Sequence, residues 1–178
     1  MVSGEVPEFM RNIEAGDLEL ALALDVVRVV PDPEIPVVTL EDLGILRGVE
    51  RQGAAIVVRI TPTYTGCPAT LAIRLAVETA LLEAGFTTAR VETVLSPPWT
   101  NDDITEDGRR RLQAYGIAPP GRRRSGRKET GLFAEETVTC PRCNSTATTR
   151  ISEFGSTVCK ALWRCETCRE PFDYFKCL

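Results

Sequence analysis

The chain contains no histidine. Without imidazole it cannot by itself assemble a Ser-His-Asp triad, a Cys-His pair or an HExxH zinc protease. Nor can it supply the two histidines of a non-haem iron facial triad, or the Glu-x-x-His motifs of a di-iron bundle. Most hydrolase and oxygenase chemistries are thereby excluded for this chain alone, and it is not expected to be an enzyme by itself.

Long apolar runs are also missing. The first apolar stretch, Leu18 to Val30, is broken by Glu19, Asp25 and Arg28, and no run approaches the ~20 residues that a bilayer crossing needs. The start, Met1-Val2-Ser3-Gly4-Glu5, lacks the basic segment that opens a secretory signal. A cytoplasmic protein without a membrane partner is expected. An excess of positive charge is lacking too: the formal net charge is −4, which provides no global attraction to nucleic acid.

What is present suits one ordinary domain plus a small satellite. The length is 178 residues, with 43% hydrophobic and 26% charged, a globular balance. Residues 1–16 read as a polar arm. Asp17 is placed to cap a helix running to about Val30, with Leu18, Leu22, Val26 and Val29 on one face. Pro31, Pro33 and Pro36 stop it. Ile45–Arg51 and Ala54–Thr61 read as strands joined at Gln52-Gly53. The loop Thr61–Gly66 then delivers Cys67, and Pro68 opens a helix to Ala84, ended by Gly85, with Leu71, Leu75, Ala76, Thr79 and Leu82 near helical spacing. A third strand over Thr88–Leu95 and a helix over Thr105–Tyr115, closed by Gly116, complete the domain.

The expected fold is α/β: a small mixed sheet with packed helices over residues 17–118, then a basic Pro/Gly-rich linker over 119–136, then a zinc-ribbon-like β domain over 137–178. The linker carries Arg122-Arg123-Arg124 and Arg127-Lys128. With no interleaved aromatics, that run reads as solvated chain and not as a nucleic-acid site.

Seven cysteines in a reducing compartment are free thiols or metal ligands. Cys140-Pro141-Arg142-Cys143 and Cys165-Glu166-Thr167-Cys168 are two CxxC knuckles separated by 21 residues. Two-residue spacing lets both thiolates of a knuckle reach one ion, and two knuckles close a tetrahedral site. Zinc is the default for so closed a site, with iron or a small iron–sulfur cluster as the alternatives. The segments Ala147–Glu153 and Thr157–Arg164 can pair as a hairpin between the knuckles. Cys159 reads as a small buried thiol in an alternating strand, and Cys177 as an exposed, incidental one.

Cys67 stands at the start of a helix, where partial positive charge favours a thiolate. On its own such a cysteine is a soft ligand, a nucleophile or an inert core residue. Three ordered motifs narrow the choice: Asp32-Pro33-Glu34-Ile35-Pro36, Asp42-Leu43-Gly44-Ile45, and Thr61-Pro62 through Gly66-Cys67-Pro68. Together they resemble the metal–sulfur cluster assembly family that includes SufT, over roughly Leu18 to Leu95. The continuation runs through Pro98-Trp99-Thr100, Ile104-Thr105, Gly108-Arg109 and Tyr115–Pro120 to a ribbon ending Glu170–Lys176. It is similar to the PaaD family, accessory subunits of bacterial phenylacetyl-CoA epoxidase systems for phenylacetate degradation. Asp103 departs from that pattern, standing where an aromatic residue is usual.

The resemblance implies an accessory factor that matures an iron–sulfur or other iron centre of the epoxidase complex. Cys67 would be the transfer or binding thiol, holding a transient iron–sulfur cluster or iron. Asp32 and Glu34 would be co-ligands or hydrogen-bonding neighbours. Partners would be epoxidase components, especially an iron–sulfur reductase component, with room for a homodimer. The alternative is a non-catalytic structural subunit of the oxygenase complex that docks through its ribbon.

Overall fold

The computed structural model describes residues 15–121 and 137–176, with side chains from Leu18 onward. The arm expected before residue 15, the linker over 122–136 and Cys177 lie outside the described residues. Helix α1 (Ala15–Arg28) already includes Asp17, so its start precedes the expected cap. Its buried face is also not the expected one. Ala23 and Val27 are fully buried and Val30 follows just beyond the end, whereas Leu18, Leu22 and Val29 are more than half exposed.

Strands β1 (Leu46–Gln52) and β2 (Ala55–Ile60) form an antiparallel hairpin whose two-residue loop begins at Gly53, with φ +61°. Helix α2 (Thr70–Glu83) crosses over to β3 (Arg90–Thr93), which pairs parallel to β2. The result is the expected mixed sheet, in the order β1-β2-β3. Again the helix packs through a different stripe: Ile73, Val77 and Leu81 are buried, while Leu71, Leu75 and Leu82 are exposed. Both stripes are apolar at helical spacing, so periodicity alone cannot choose between them. The choice falls to the β-branched pair one turn apart, Ile73 and Val77, which joins a core that also holds Val58 and Ile60 of β2.

A short 3₁₀ turn (Asn101–Asp103) leads into α3 (Glu106–Tyr115). Thr105 caps that helix by accepting the Gly108 N–H at 2.9 Å, and Gly116 ends it at φ +95°. Asp103, the residue that departs from the family pattern, is held by Arg47 through two hydrogen bonds of 3.1 and 3.3 Å. It also accepts the Thr100 N–H at 2.6 Å. An ion pair thus occupies the place where the resemblance led to the expectation of an aromatic ring. Gly44 lies beneath it at φ +66°, and a Cβ there would come within 2.3 Å of the Asp103 carbonyl oxygen.

The second sheet contains β4 (Ile117–Ala118), β5 (Thr148–Ser152), β6 (Lys160–Cys165) and β7 (Pro171–Phe175), in the order β4-β7-β6-β5. The expected hairpin corresponds to β5 and β6; β4 and β7 are additional. β4 belongs to the chain before the linker yet pairs parallel to β7 at the far end of the sequence. Packing joins the two sheets as well. Phe175 and Cys159, from the ribbon, lie in the same apolar cluster as Ile35, Leu43 and Trp99. Trp99 and Phe175 meet edge to face, with centroids 6.1 Å apart. Among the described residues no helix is long and apolar enough to cross a membrane.

Phe175 is 2% exposed, and its removal opens a cavity at the junction. Phe175→Ala is expected to cost about 3–5 kcal/mol, read from denaturant unfolding followed by tryptophan fluorescence. A loss below about 1 kcal/mol would mean that the ribbon is merely apposed to the first domain.

Candidate functional site

The two knuckles fold by the same local rules. In the first, the Asn144 N–H donates to the Cys140 carbonyl at 3.0 Å, and the Cys140 N–H to the Ser145 carbonyl at 2.9 Å. In the second, Arg169 donates to the Cys165 carbonyl and Cys165 to the Glu170 carbonyl, both at 3.0 Å. Each turn is closed by a left-handed residue just after its second cysteine, Asn144 at φ +59° and Arg169 at φ +66°. A non-glycine residue there costs about 1–2 kcal/mol, so the turn is held by what surrounds it.

The four sulfurs lie within 4.8 Å of one another. Cys140 and Cys168 are 3.8 Å apart, and Cys143 and Cys165 3.5 Å. A metal–thiolate tetrahedron with bonds of about 2.3 Å has edges of about 3.8 Å, so the set fits one ion. The Cys168 N–H points at the Cys165 sulfur at 3.5 Å. That backbone donor, with a further one from Thr167, outweighs burial and brings the Cys165 thiol down to about 6. Against their own backbone donors, contact with that sulfur and burial push the Cys143 and Cys168 thiols up, so the turn favours a thiolate at Cys165.

The first domain's motif residues divide into scaffold and site. Asp32 is 6% exposed, and its Oδ1 accepts the N–H groups of Glu34 at 2.9 Å and Ile35 at 2.8 Å. That is an Asx turn, and it fixes the backbone that carries Glu34. Burial raises the Asp32 carboxyl above its usual range, opposed by those two N–H donors and by Lys160. Asp42 is scaffold too. Its Oδ2 accepts the Thr39 N–H at 3.0 Å and an Arg111 N–H at 2.9 Å. Its carbonyl takes the Thr105 N–H, and Gly108 packs so close to that carbonyl that a Cβ would lie 2.5 Å away.

Cys67 is half-buried and stands three residues before α2, whereas the expected place is directly before a helix opened by Pro68. The cap of α2 is Ala69, and Pro68 lies in the turn before it. Cys67 instead donates its N–H to the Tyr64 carbonyl at 3.3 Å, while its own carbonyl accepts the Thr70 N–H at 3.2 Å. Tyr64 is its chemical neighbour: the phenol is pushed up to about 12, first by burial, then by Cys67, and further by Cys159 and Glu34. Glu34, half-buried, receives the Cys159 thiol at 3.5 Å across 125 residues of sequence. Among the candidate residues, Glu34 and Cys67 thus share a neighbourhood, whereas Asp32 acts on it from behind. Cys159 and Tyr64 join the neighbourhood without having been expected there. The only sequence signal for Tyr64 is its place three residues before Cys67.

Asp32 is expected to be replaceable by its amide. The folded carboxyl titrates above its unfolded value, so the charge is a burden that grows as pH rises through that range. Asp32→Asn keeps an acceptor for both N–H groups and should be at least as stable as the parent at pH ~7, the advantage vanishing towards pH ~4. Asp32→Ala loses the acceptor and should cost about 1–3 kcal/mol. Urea unfolding at both pH values checks the pair.

Comparison with known proteins agrees with this two-part organisation. The family "Iron-sulfur cluster assembly protein" matches residues 21–94, and "PaaD zinc beta ribbon domain" matches residues 124–176. A putative 1,2-phenylacetyl-CoA epoxidase subunit of Escherichia coli (strain K12) is 52% identical over 149 residues, which cover 84% of this chain and 87% of that protein. Among solved structures, a domain of unknown function from Bacillus anthracis aligns with TM-score 0.48 and 22% identity, over 53% of this chain and 92% of its own. A Mycobacterium tuberculosis protein, described as associated with Fe-S complex assembly and repair, aligns with TM-score 0.34 and 33% identity, over 62% of this chain and 98% of its own. With an assembly-type domain and a four-cysteine ribbon joined in one chain, and 52% identity to that epoxidase component over 149 residues, the chain belongs to the PaaD family.

Proposed function

We propose that this protein is a non-catalytic subunit of a phenylacetyl-CoA epoxidase system, and that it helps to install an iron–sulfur or iron centre in a partner of that complex. The reading rests on one observation. Cys67, the single cysteine before residue 140, is a half-exposed thiol on a loop, outside the closed four-thiol ribbon. A soft ion can be taken up and released at such a position, and neighbouring oxygen groups, Tyr64 and Glu34, can assist. The 52% identity to an epoxidase component supports the choice of system. The absence of histidine is consistent with handing metal on rather than using it for oxygen chemistry.

In this reading the ribbon ion is zinc and structural, because four thiolates leave no open position for a substrate. Cys140, Cys143, Cys165 and Cys168 would hold it, and its binding would offset the small core of the ribbon. Replacing any one by Ser should release one zinc per chain, by elemental analysis, and expose residues 137–176 to protease. Unchanged zinc in all four variants would remove the assignment.

Cys67→Ser should leave the protein folded and its ribbon zinc in place. In a deletion strain it should fail to restore growth on phenylacetate, and the purified oxygenase components should carry as little iron and sulfide as without the gene. Growth and partner iron at parental levels, with stable co-purification of the protein, would instead identify a structural component of the complex.

A further inference from the structure

Cys159 is the one described thiol that neither the ribbon's metal cluster nor the proposed role of Cys67 employs. It lies just before β6, 7% exposed, and its sulfur is 3.1 Å from the Thr157 hydroxyl and 3.5 Å from Glu34 Oε2. This is a direct polar contact between the ribbon and a motif loop of the first domain. Tyr64 and Cys67 pack against the same apolar cluster that contains Cys159 and Ile35.

The ribbon clamps this thiol from several sides. The Cys159 carbonyl accepts the Lys176 N–H at 2.9 Å, and the Lys160 N–H donates to the Thr157 carbonyl at 3.1 Å. The loop before it is fastened by the Gly155 N–H on the Lys160 carbonyl at 2.7 Å and by Ser156 on Asp173 at 3.3 Å. Lys160 itself, 6% exposed, pairs with Asp173. On the opposite side, Glu34 is aimed by the Asx turn of Asp32. Two hydrogen-bonded loops therefore hold a thiol and a carboxylate in contact.

We infer that Cys159 and Glu34 form a fixed half-site for the iron cargo and that Cys67 supplies the other half, so that the ion is held between the two domains. The inference rests on the proposed role of Cys67 and adds a second thiol to it. Two thiolates and a carboxylate make a mixed soft and hard donor set suited to Fe(II), each thiol releasing its proton as the ion binds. Among the described residues only the four ribbon cysteines bring three or more ligand atoms within 4.8 Å of one another, so the Cys67 loop must move inward to close the half-sites. Gly66, next to the thiol, has φ +85°, and a Cβ there would meet no atom within 4 Å. A ligand set completed only by closure suits a carrier, since opening releases the ion.

The test uses the full-length, zinc-loaded protein under anaerobic conditions, with Fe(II) alone as the probe. Equilibrium dialysis should find one Fe(II) per chain in the parent. Cys159→Ser should weaken binding by at least about 10- to 100-fold, the range for losing even an outer partner of a metal site, as should Cys67→Ser. Because both thiols serve one ion, the double variant should lose much less than the sum. A variant-free measurement accompanies this: Fe(II) should slow alkylation of both Cys67 and Cys159 in the parent, followed residue by residue with mass spectrometry. Parental Fe(II) affinity in Cys159→Ser, or protection of Cys67 without protection of Cys159, overturns the two-domain site and leaves the Cys67 reading standing. Parental affinity in Cys67→Ser, or no Fe(II) binding by the parent, overturns both.

Discussion

The indole of Trp99 is the contact on which the arrangement turns. Its N–H donates to the Leu43 carbonyl at 2.7 Å inside the protein, and its ring meets Phe175 of the ribbon edge to face. A buried indole without an acceptor would cost about 1–3 kcal/mol, so the Asp42-Leu43-Gly44 turn must present that carbonyl. The turn does so because Asp42 is tied to Thr39, Thr105 and Arg111. One side chain thereby ties the Asp42-Leu43-Gly44 turn to the ribbon, alongside the pairing of β4 with β7.

The ribbon is consequently more than a stabilising appendage. Its second knuckle joins the end of β6 to the start of β7, and at the far end of that pair Phe175 of β7 and Cys159, just before β6, reach the first domain. A closed four-thiol cluster has no chemistry of its own to offer, but it can hold another thiol in register. Division of labour between a rigid thiolate cage and a looser thiol on a loop follows from the difference in their surroundings: four sulfurs within one tetrahedron, against one half-exposed sulfur beside a phenol.

Much of the local structure is legible in the sequence. Gly53, Thr105 and Gly116 mark a hairpin and the two ends of a helix because each answers a local geometric need. The CxxC knuckles announce their cluster for the same reason. Helix faces are less legible: α1 and α2 each carry two apolar stripes, and which one packs depends on the sheet beneath. β4 has only two residues and β7 opens on a proline, so neither reads as a strand before its partner is known. The resemblance offers Asp32 as a co-ligand or a hydrogen-bonding neighbour, and in the structure it holds an Asx turn, of which an Asp before Pro at a loop start is also a signature. Least legible is the meeting of Glu34 and Cys159, which no local pattern encodes.

The pairing of Ile117–Ala118 with the final strand has a consequence for how such a chain can evolve. A ribbon borrowed from elsewhere would bring the cage but not the surface that receives β4, Trp99 and Glu34. The two halves are therefore not interchangeable parts on a string; drift at Trp99 has to be answered at Phe175, and drift at Glu34 at Cys159. Inheritance is expected to pass the pair on as one unit, however different the histories of its two sheets.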